Sequence, residues 1–224
     1  MARNGNFAVL VLWLASALIA PAFAQSTNAT PDLSMNEAAF DPAKLPGLPE
    51  AAKQALANAA QQVKSGEWVG YVLAASPNLA VWDFNSIAKT PPVYSVSDVA
   101  RIALEACEYD SGAPCYLLSI SGHDTQKRGG GWAAQPEMLF SKAGEFDERE
   151  VPFVPAAERA NLSNYRRASG NRALVITTNG DWLSHVGDTA AKAVAAAVAD
   201  CTTAVKGATC LLYAVNDRVV FEPR

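Results

Sequence analysis

Two groupings could set a proton-accepting imidazole beside a carboxylate: His123-Asp124, and Ser184-His185 with Asp188 close behind. These are the chain's 2 histidines, and either could serve as the base of a cell-envelope hydrolase, deprotonating a hydroxyl while the carboxylate orients the ring. That chemistry requires convergence in space, whereas residues adjacent along a strand point to opposite faces of the sheet. No Gly-x-Ser-x-Gly elbow accompanies either group. A hydrolase using His185 or His123 is therefore the alternative reading, behind surface or hydrogen-bonded histidines.

Other residues suggest binding rather than catalysis. Gly129-Gly130-Gly131-Trp132 lacks the Lys-Ser/Thr that would open a helix after a phosphate loop, so it reads as a flexible loop that displays Trp132 as a contact. Arg166, Arg167 and Arg172 form the one basic cluster, at a helix C-terminus where cations favour the dipole and where an acidic partner could also be met. Trp68, Trp82 and Trp182 fall on expected strands, where core packing is the commoner fate of an aromatic ring. No cofactor is implied, and no metal site either, because zinc pairs come as C-x2-C to C-x4-C. The cysteines here are spaced C-x7-C and C-x8-C.

Those 4 cysteines, Cys107, Cys115, Cys201 and Cys210, allow three connectivities. An internal repeat favours the local one. Aligned on the first Cys of each pair, Val99, Ala100, Ala103, Leu104 and Cys107 match Ala193, Val194, Ala197, Val198 and Cys201, one apolar stripe along a helix. Ser97 or Asp98 could cap the first of these helices, and Asp188 the second. Aligned on the second Cys, Tyr116-Leu117-Leu118-Ser119-Ile120 matches Leu211-Leu212-Tyr213-Ala214-Val215 as a strand. Each first Cys is expected to end its helix and each second Cys to open its strand.

Upstream, Ala51 to Val63 and Pro155 to Arg167 read as helices. Each leads to a hairpin: Trp68–Ala74 returning through Val81-Trp82-Phe84, and Ala173–Thr177 returning through Asp181-Trp182-Leu183 after an Asn179-Gly180 turn. Arg218–Phe221 closes the second copy after Asn216-Asp217. The expected fold is thus α+β: two tandem αββαβ units, antiparallel hairpins covered by Ala-rich helices, packed as a pseudo-symmetric pair on one core, with one local disulfide per unit.

The units are placed at 49–120 and 151–224. Between them, 121–150 is polar, glycine-rich and charged, and reads as a linker or surface excursion. Residues 25–48 hold Pro31, Pro42 and Pro46 and read as a flexible tether. Residues 1–24 read as a secretory signal: Arg3, an apolar run from Phe7 to Ala20 too short to span a bilayer, and Ala22-Phe23-Ala24 before a cleavage that would leave Gln25 first. The expected location is periplasmic or secreted, where paired cysteines oxidise, with no stable membrane insertion after cleavage.

With 50% apolar and 18% charged residues the chain is globular rather than disordered. A net charge of −4 argues against nucleic-acid binding, which rests on accumulated Lys and Arg.

The run Ala195-Ala196-Ala197-Val198-Ala199-Asp200-Cys201, then Cys210-Leu211-Leu212-Tyr213-Ala214-Val215-Asn216-Asp217, preceded by Pro152-Phe153-Val154, Arg159, Tyr165 and Arg172-Ala173-Leu174, resembles repeat modules in poorly characterised exported proteins of Gram-negative bacteria. The resemblance is clear over 152–221 and degraded over 50–120, where Ser121-Gly122 replaces Asn216-Asp217. It implies a fold and a compartment, and no activity. The functional expectation is a non-catalytic module that binds an unknown protein or small-molecule ligand.

Overall fold

The computed structural model describes residues 33, 35, 37–89, 94–126, 144–205 and 209–222. The expected signal segment 1–24, the glycine run with Trp132, and most of the 121–150 excursion lie outside the described residues. The fold is α+β: four helices and two four-stranded antiparallel sheets, arranged as two tandem units.

The first unit contains α1 (Glu50–Ser65), β1 (Trp68–Ala75), β2 (Trp82–Ala88), α2 (Val96–Ser111), β3 (Tyr116–Ile120) and β4 (His123–Asp124). The second repeats it as α3 (Ala156–Arg167), β5 (Asn171–Thr177), β6 (Trp182–Gly187), α4 (Ala190–Ala204), β7 (Cys210–Val215) and β8 (Arg218–Val219). The sheet orders are β2-β1-β3-β4 and β6-β5-β7-β8.

Local chemistry sets the boundaries. Ser95 rather than Ser97 or Asp98 caps α2, its Oγ accepting from the Asp98 amide at 3.0 Å, and Thr189 rather than Asp188 caps α4 by accepting from Lys192. Both helices run past their cysteines, α2 to Ser111 and α4 to Ala204. The bridges Cys107–Cys115 and Cys201–Cys210 therefore staple the last turn of each helix to the following strand, with Cα atoms 6.2 and 6.1 Å apart. In each hairpin a hydroxyl tightens the turn: Ser76 Oγ accepts from the Val81 amide, and Thr177 Oγ1 accepts from Asn179 and Asp181.

The tether expectation is corrected for 37–48. Phe40 and Leu45 pack on the first core, Leu48 is buried, and the Phe40 amide donates to Gly122 O at 2.8 Å. The second unit repeats this lead-in inside the expected linker, where the Phe146 amide donates to Asp217 O at 2.9 Å. Asp41 and Asp147 each cap the single 3-10 turn that follows, Pro42–Lys44 and Glu148–Glu150. The units thus start earlier than expected, at Ala39 rather than residue 49 and at Glu145 rather than residue 151, and each ends in a closing hairpin, because the lead-in bridges to β4 or β8 through Ala39–His123 and Glu145–Arg218.

One clamp is solved differently in the two copies. In the second unit α3 supplies Tyr165, whose hydroxyl donates to Asn216 O at 2.7 Å, and β5 supplies Arg172, whose guanidinium lies over that ring at 5.3 Å and bonds Asp217. In the first unit the helix position holds Ala59, and Tyr71 of β1 fills the space from the strand side. Gly122, at φ +84°, accommodates it: a Cβ there would lie 3.0 Å from Tyr71 Oη.

The two units do not share one core as a symmetric pair. On the first sheet, α1 covers one face, with Ala52, Leu56 and Ala59 against Tyr71, Leu73 and Leu118. Helix α2 covers the other, with Val99, Ala103 and Leu104 against Val72, Ala74 and Ile120. The reverse side of α2 then enters the second unit: Ala106 and Tyr109 join Leu162 and Tyr165 of α3 over Leu174, Ile176 and Tyr213. Helix α4 closes the far face through Ala193 and Ala197. The layers run α1, sheet, α2 with α3, sheet, α4, a head-to-tail stack in which α2 serves both units.

Candidate binding cleft

The seam between units is built on a buried carboxylate. Glu105 of α2 is 0% exposed, held by Arg101 at 2.7 Å on its own helix, and accepts from the Phe153 amide at 2.5 Å across the junction. Burial pushes its carboxyl above the usual range, against the opposing pull of Arg101, the Phe153 amide and Arg159. Phe153 holds φ +63°, costly for a non-glycine residue, and its ring packs edge-on to Tyr109 of α2 at 6.2 Å. Beside it, Gly180 at φ +101° keeps the β5–β6 turn bare where Ile102 of α2 crosses: a Cβ would lie 3.3 Å from Ile102 Cδ1. Asp98 of α2 accepts from the Ala156 amide at 2.8 Å, so an acidic side chain of one unit meets the positive N-terminal end of α3 in the other.

Arg159 lies half-buried at the edge of this seam. Its Nε donates to Val154 O at 3.0 Å and its Nη1 to Arg149 O. It borders a cleft of about 380 Å³ with Glu148, Arg149, Ala156 and Ala160. Arg149 is anchored by Asp147 at 2.5 Å, which holds the Asp147 carboxyl below its ordinary range, and Arg166 reaches Glu148 at 3.3 Å. Both signs of charge converge on this concavity. It follows the 3-10 turn and the first turns of α3, two segments fixed by the capping aspartate and by Asp98. A smaller hollow of about 190 Å³ lies between the first lead-in and β4, lined by Phe40, Asp41, Lys44 and Asp124 among others.

The three arginines expected as one cluster fan apart. Arg166 pairs with Glu148, which lines the cleft. Arg167 folds back on its own helix, with Nη2 donating to Ser163 Oγ and Asn164 Oδ1. Arg172, on β5, donates from Nη1 to the carbonyl of Ala168, the C-cap of α3, as expected of a cation at that helix end, and bonds Asp217 through Nη2; at 8% exposed it is a clamp inside the unit rather than the exposed partner contact also expected of it.

The histidines are separated as well. His123 is exposed on β4 of the first unit. His185 Nε2 lies 2.7 Å from Asp200 of α4, while Asp188 pairs with Lys192 at 2.9 Å. The orienting carboxylate is thus Asp200, brought from the last turns of α4 to the strand it covers. Ser184, one residue from His185, faces the opposite side of the sheet, so sequence proximity does not give a nucleophile within reach of this base.

One further carboxylate is strongly perturbed. Asp83 of β2 faces the last turn of α2, and burial, reinforced by the charge of Asp110 and opposed by the Phe84 amide, raises it to about 8. The folded protein keeps this proton at pH values where the unfolded chain, at its ordinary carboxylate value of 3.8, has released it. Stability should therefore fall as pH rises from about 4 to about 8 and stay lower above that. Asp83→Asn should remove this slope and raise stability above pH 8 by on the order of 1–3 kcal/mol, read by urea titrations across the range.

From sequence Glu105 has no assigned role, and Arg159 is marked only as part of the exported-repeat pattern. The available signal was a pair of glutamates, Glu105 and Glu108, within an otherwise apolar helical stripe; both are buried in the structure. Comparison of the chain with family models, curated proteins and solved structures gives no match.

Proposed function

We propose that this is an exported protein that acts by binding, without catalysis, and that its ligand is a small polar molecule carrying at least one carboxylate or similar anion. The observation that carries this reading is the cleft at the unit junction, where Arg149 and Arg159 converge with Glu148 beside the capped start of α3. Binding pockets combine a concave surface with a few fixed polar groups, and here Asp147 holds Arg149 while the Val154 and Arg149 carbonyls hold Arg159. The two disulfides fit an oxidising compartment. No helix among the described residues is long and apolar enough to cross a membrane. The resemblance to exported repeat modules points the same way.

A thermal-shift screen of small carboxylates, amino acids and phosphorylated compounds tests it, since a ligand that binds only the native state raises the melting temperature. Arg149 is exposed, so Arg149→Ala should leave the unliganded melting temperature within about 2 °C of wild type. The same substitution should abolish at least half of any ligand-induced shift. A screen with no hit, or a hit indifferent to Arg149→Ala, would remove the cleft from consideration. The envelope-hydrolase alternative rests on the His185–Asp200 pair. Ester or amide turnover lost in His185→Ala would favour it.

A further inference from the structure

Strand β6 is an outer strand of its sheet, and its backbone phase can be read from the hairpin. The Thr177 amide donates to Asp181 O at 2.9 Å, which fixes Thr177–Asp181 as a hydrogen-bonded pair. With Ile176 opposite Trp182, Val175 opposite Leu183, Leu174 opposite Ser184, Ala173 opposite His185 and Arg172 opposite Val186, the pairs alternate without a bulge. Leu183 and His185 therefore turn their backbone groups toward β5. Trp182, Ser184 and Val186 turn theirs outward, and no hydrogen bond to those outward groups is made by any described residue.

Three of the devices that blunt such an edge are missing here: β6 contains no lysine, proline or bulge. The corresponding edge of the other sheet differs. There the outward Ser86 amide is occupied by Asn85 Oδ1 of its own chain at 3.0 Å. On β6 the side chains on the same face as the outward groups include an exposed hydrophobe, Val186 at 56%, and a partly buried Trp182, with Ser184 exposed between them.

This pattern is self-complementary. We propose that the protein pairs with a second copy of itself through β6, antiparallel about a two-fold axis at Ser184. In that register Trp182 of each copy lies opposite Val186 of the other and covers it, an aromatic–β-branched pair of the kind that stabilises sheets. Ser184 meets Ser184, and each of the three outward residues exchanges both backbone bonds with its counterpart. On the other face Leu183 meets His185, whose ring is already held by Asp200. The two-fold axis closes the assembly at two copies, because the same patch is used on both sides. This inference is independent of the cleft and of what the cleft binds.

Sedimentation velocity over a concentration series, on protein purified with its disulfides intact, is the test. The expected result is a monomer–dimer equilibrium that Ser184→Lys weakens at least tenfold, since it sets like charges directly opposite each other, while the far-UV spectrum is unchanged. Ser86→Lys, on the other edge, should leave the equilibrium as it is. Ser184→Cys should give an intermolecular disulfide under mild oxidation, mapped to that position in both chains, because directly opposed residues lie within bridging distance. A chain that stays monomeric at every concentration, or a dimer that neither Ser184→Lys weakens nor Ser184→Cys cross-links, would overturn the proposal.

Discussion

Replacing Glu105 by alanine should cost about 3–5 kcal/mol, the usual penalty for breaking a buried ion pair by removing one partner. Arg101 would lose its 2.7 Å acceptor and the Phe153 amide its 2.5 Å acceptor, both at a fully buried position. Phe153 would also lose the contact that holds its positive φ. Glu105→Gln keeps an oxygen for the amide and should cost less, on the order of 1–2 kcal/mol. Because α2 belongs to both units, the wild-type protein should melt in one calorimetric transition. Glu105→Ala should lower that transition and split it, the unit that retains α2 melting last. A lowered but still single transition would mean that the apolar contacts of Ala106 and Tyr109 couple the units without the carboxylate.

The second large effect concerns the bridges. Closing loops of this length is worth roughly 2.5–3 kcal/mol in the chain-entropy account. The two should not be equal. Cys107 and Cys115 are both fully buried in the core under α2, the helix that serves both sheets, whereas Cys210 is partly exposed beside α4, which serves one. The Cys107→Ala/Cys115→Ala double variant should therefore lose about 3–5 kcal/mol, and the Cys201→Ala/Cys210→Ala variant about 2–3 kcal/mol, by guanidinium titration. Non-reducing peptide maps should link only neighbours. Equal losses would mean that the shared helix is held by its other contacts.

Much of the secondary structure could be read from spacing alone, because each element announces itself locally. The stripe Val99, Ala103, Cys107 and its counterpart Ala193, Ala197, Cys201 mark buried helix faces, and Asn179-Gly180 marks a hairpin. The lead-ins were legible in principle: Phe40-Asp41 with Leu45-Pro46 and Leu48-Pro49 matches Phe146-Asp147 with Val151-Pro152 and Val154-Pro155. Proline content masked the repeat, since prolines that fix a short 3-10 turn and a helix start look like those of a tether. The stacking was not legible. Which side of α2 meets a second sheet depends on pairings far apart in sequence, and Glu105 owes its role to Phe153, 48 residues away. For the same reason the cleft could not be assembled in advance. Arg166 is marked by its position at a helix end and Arg159 by the repeat pattern, while Arg149 is unremarkable along the chain, and the three meet only through the fold.

Head-to-tail stacking sets the α2 face of the first unit against the α3 face of the second, and leaves the corresponding α4 and α1 faces turned outward. The outward faces carry different side chains from the joined ones. Where α2 presents Ile102, Glu105 and Tyr109 to its neighbour, the aligned positions of α4 are Ala196, Ala199 and Thr203, which offer neither the anchors nor the carboxylate. At the opposite end the first unit has Gly47 where the second has Phe153, and Leu79 of the longer β1–β2 turn lies against it, with Cδ1 3.4 Å from where a Cβ would stand. Among the described residues the two outer faces therefore lack the side chains that join the units at the junction, and a handful of surface residues, rather than the architecture, distinguishes a joining face from a bare one.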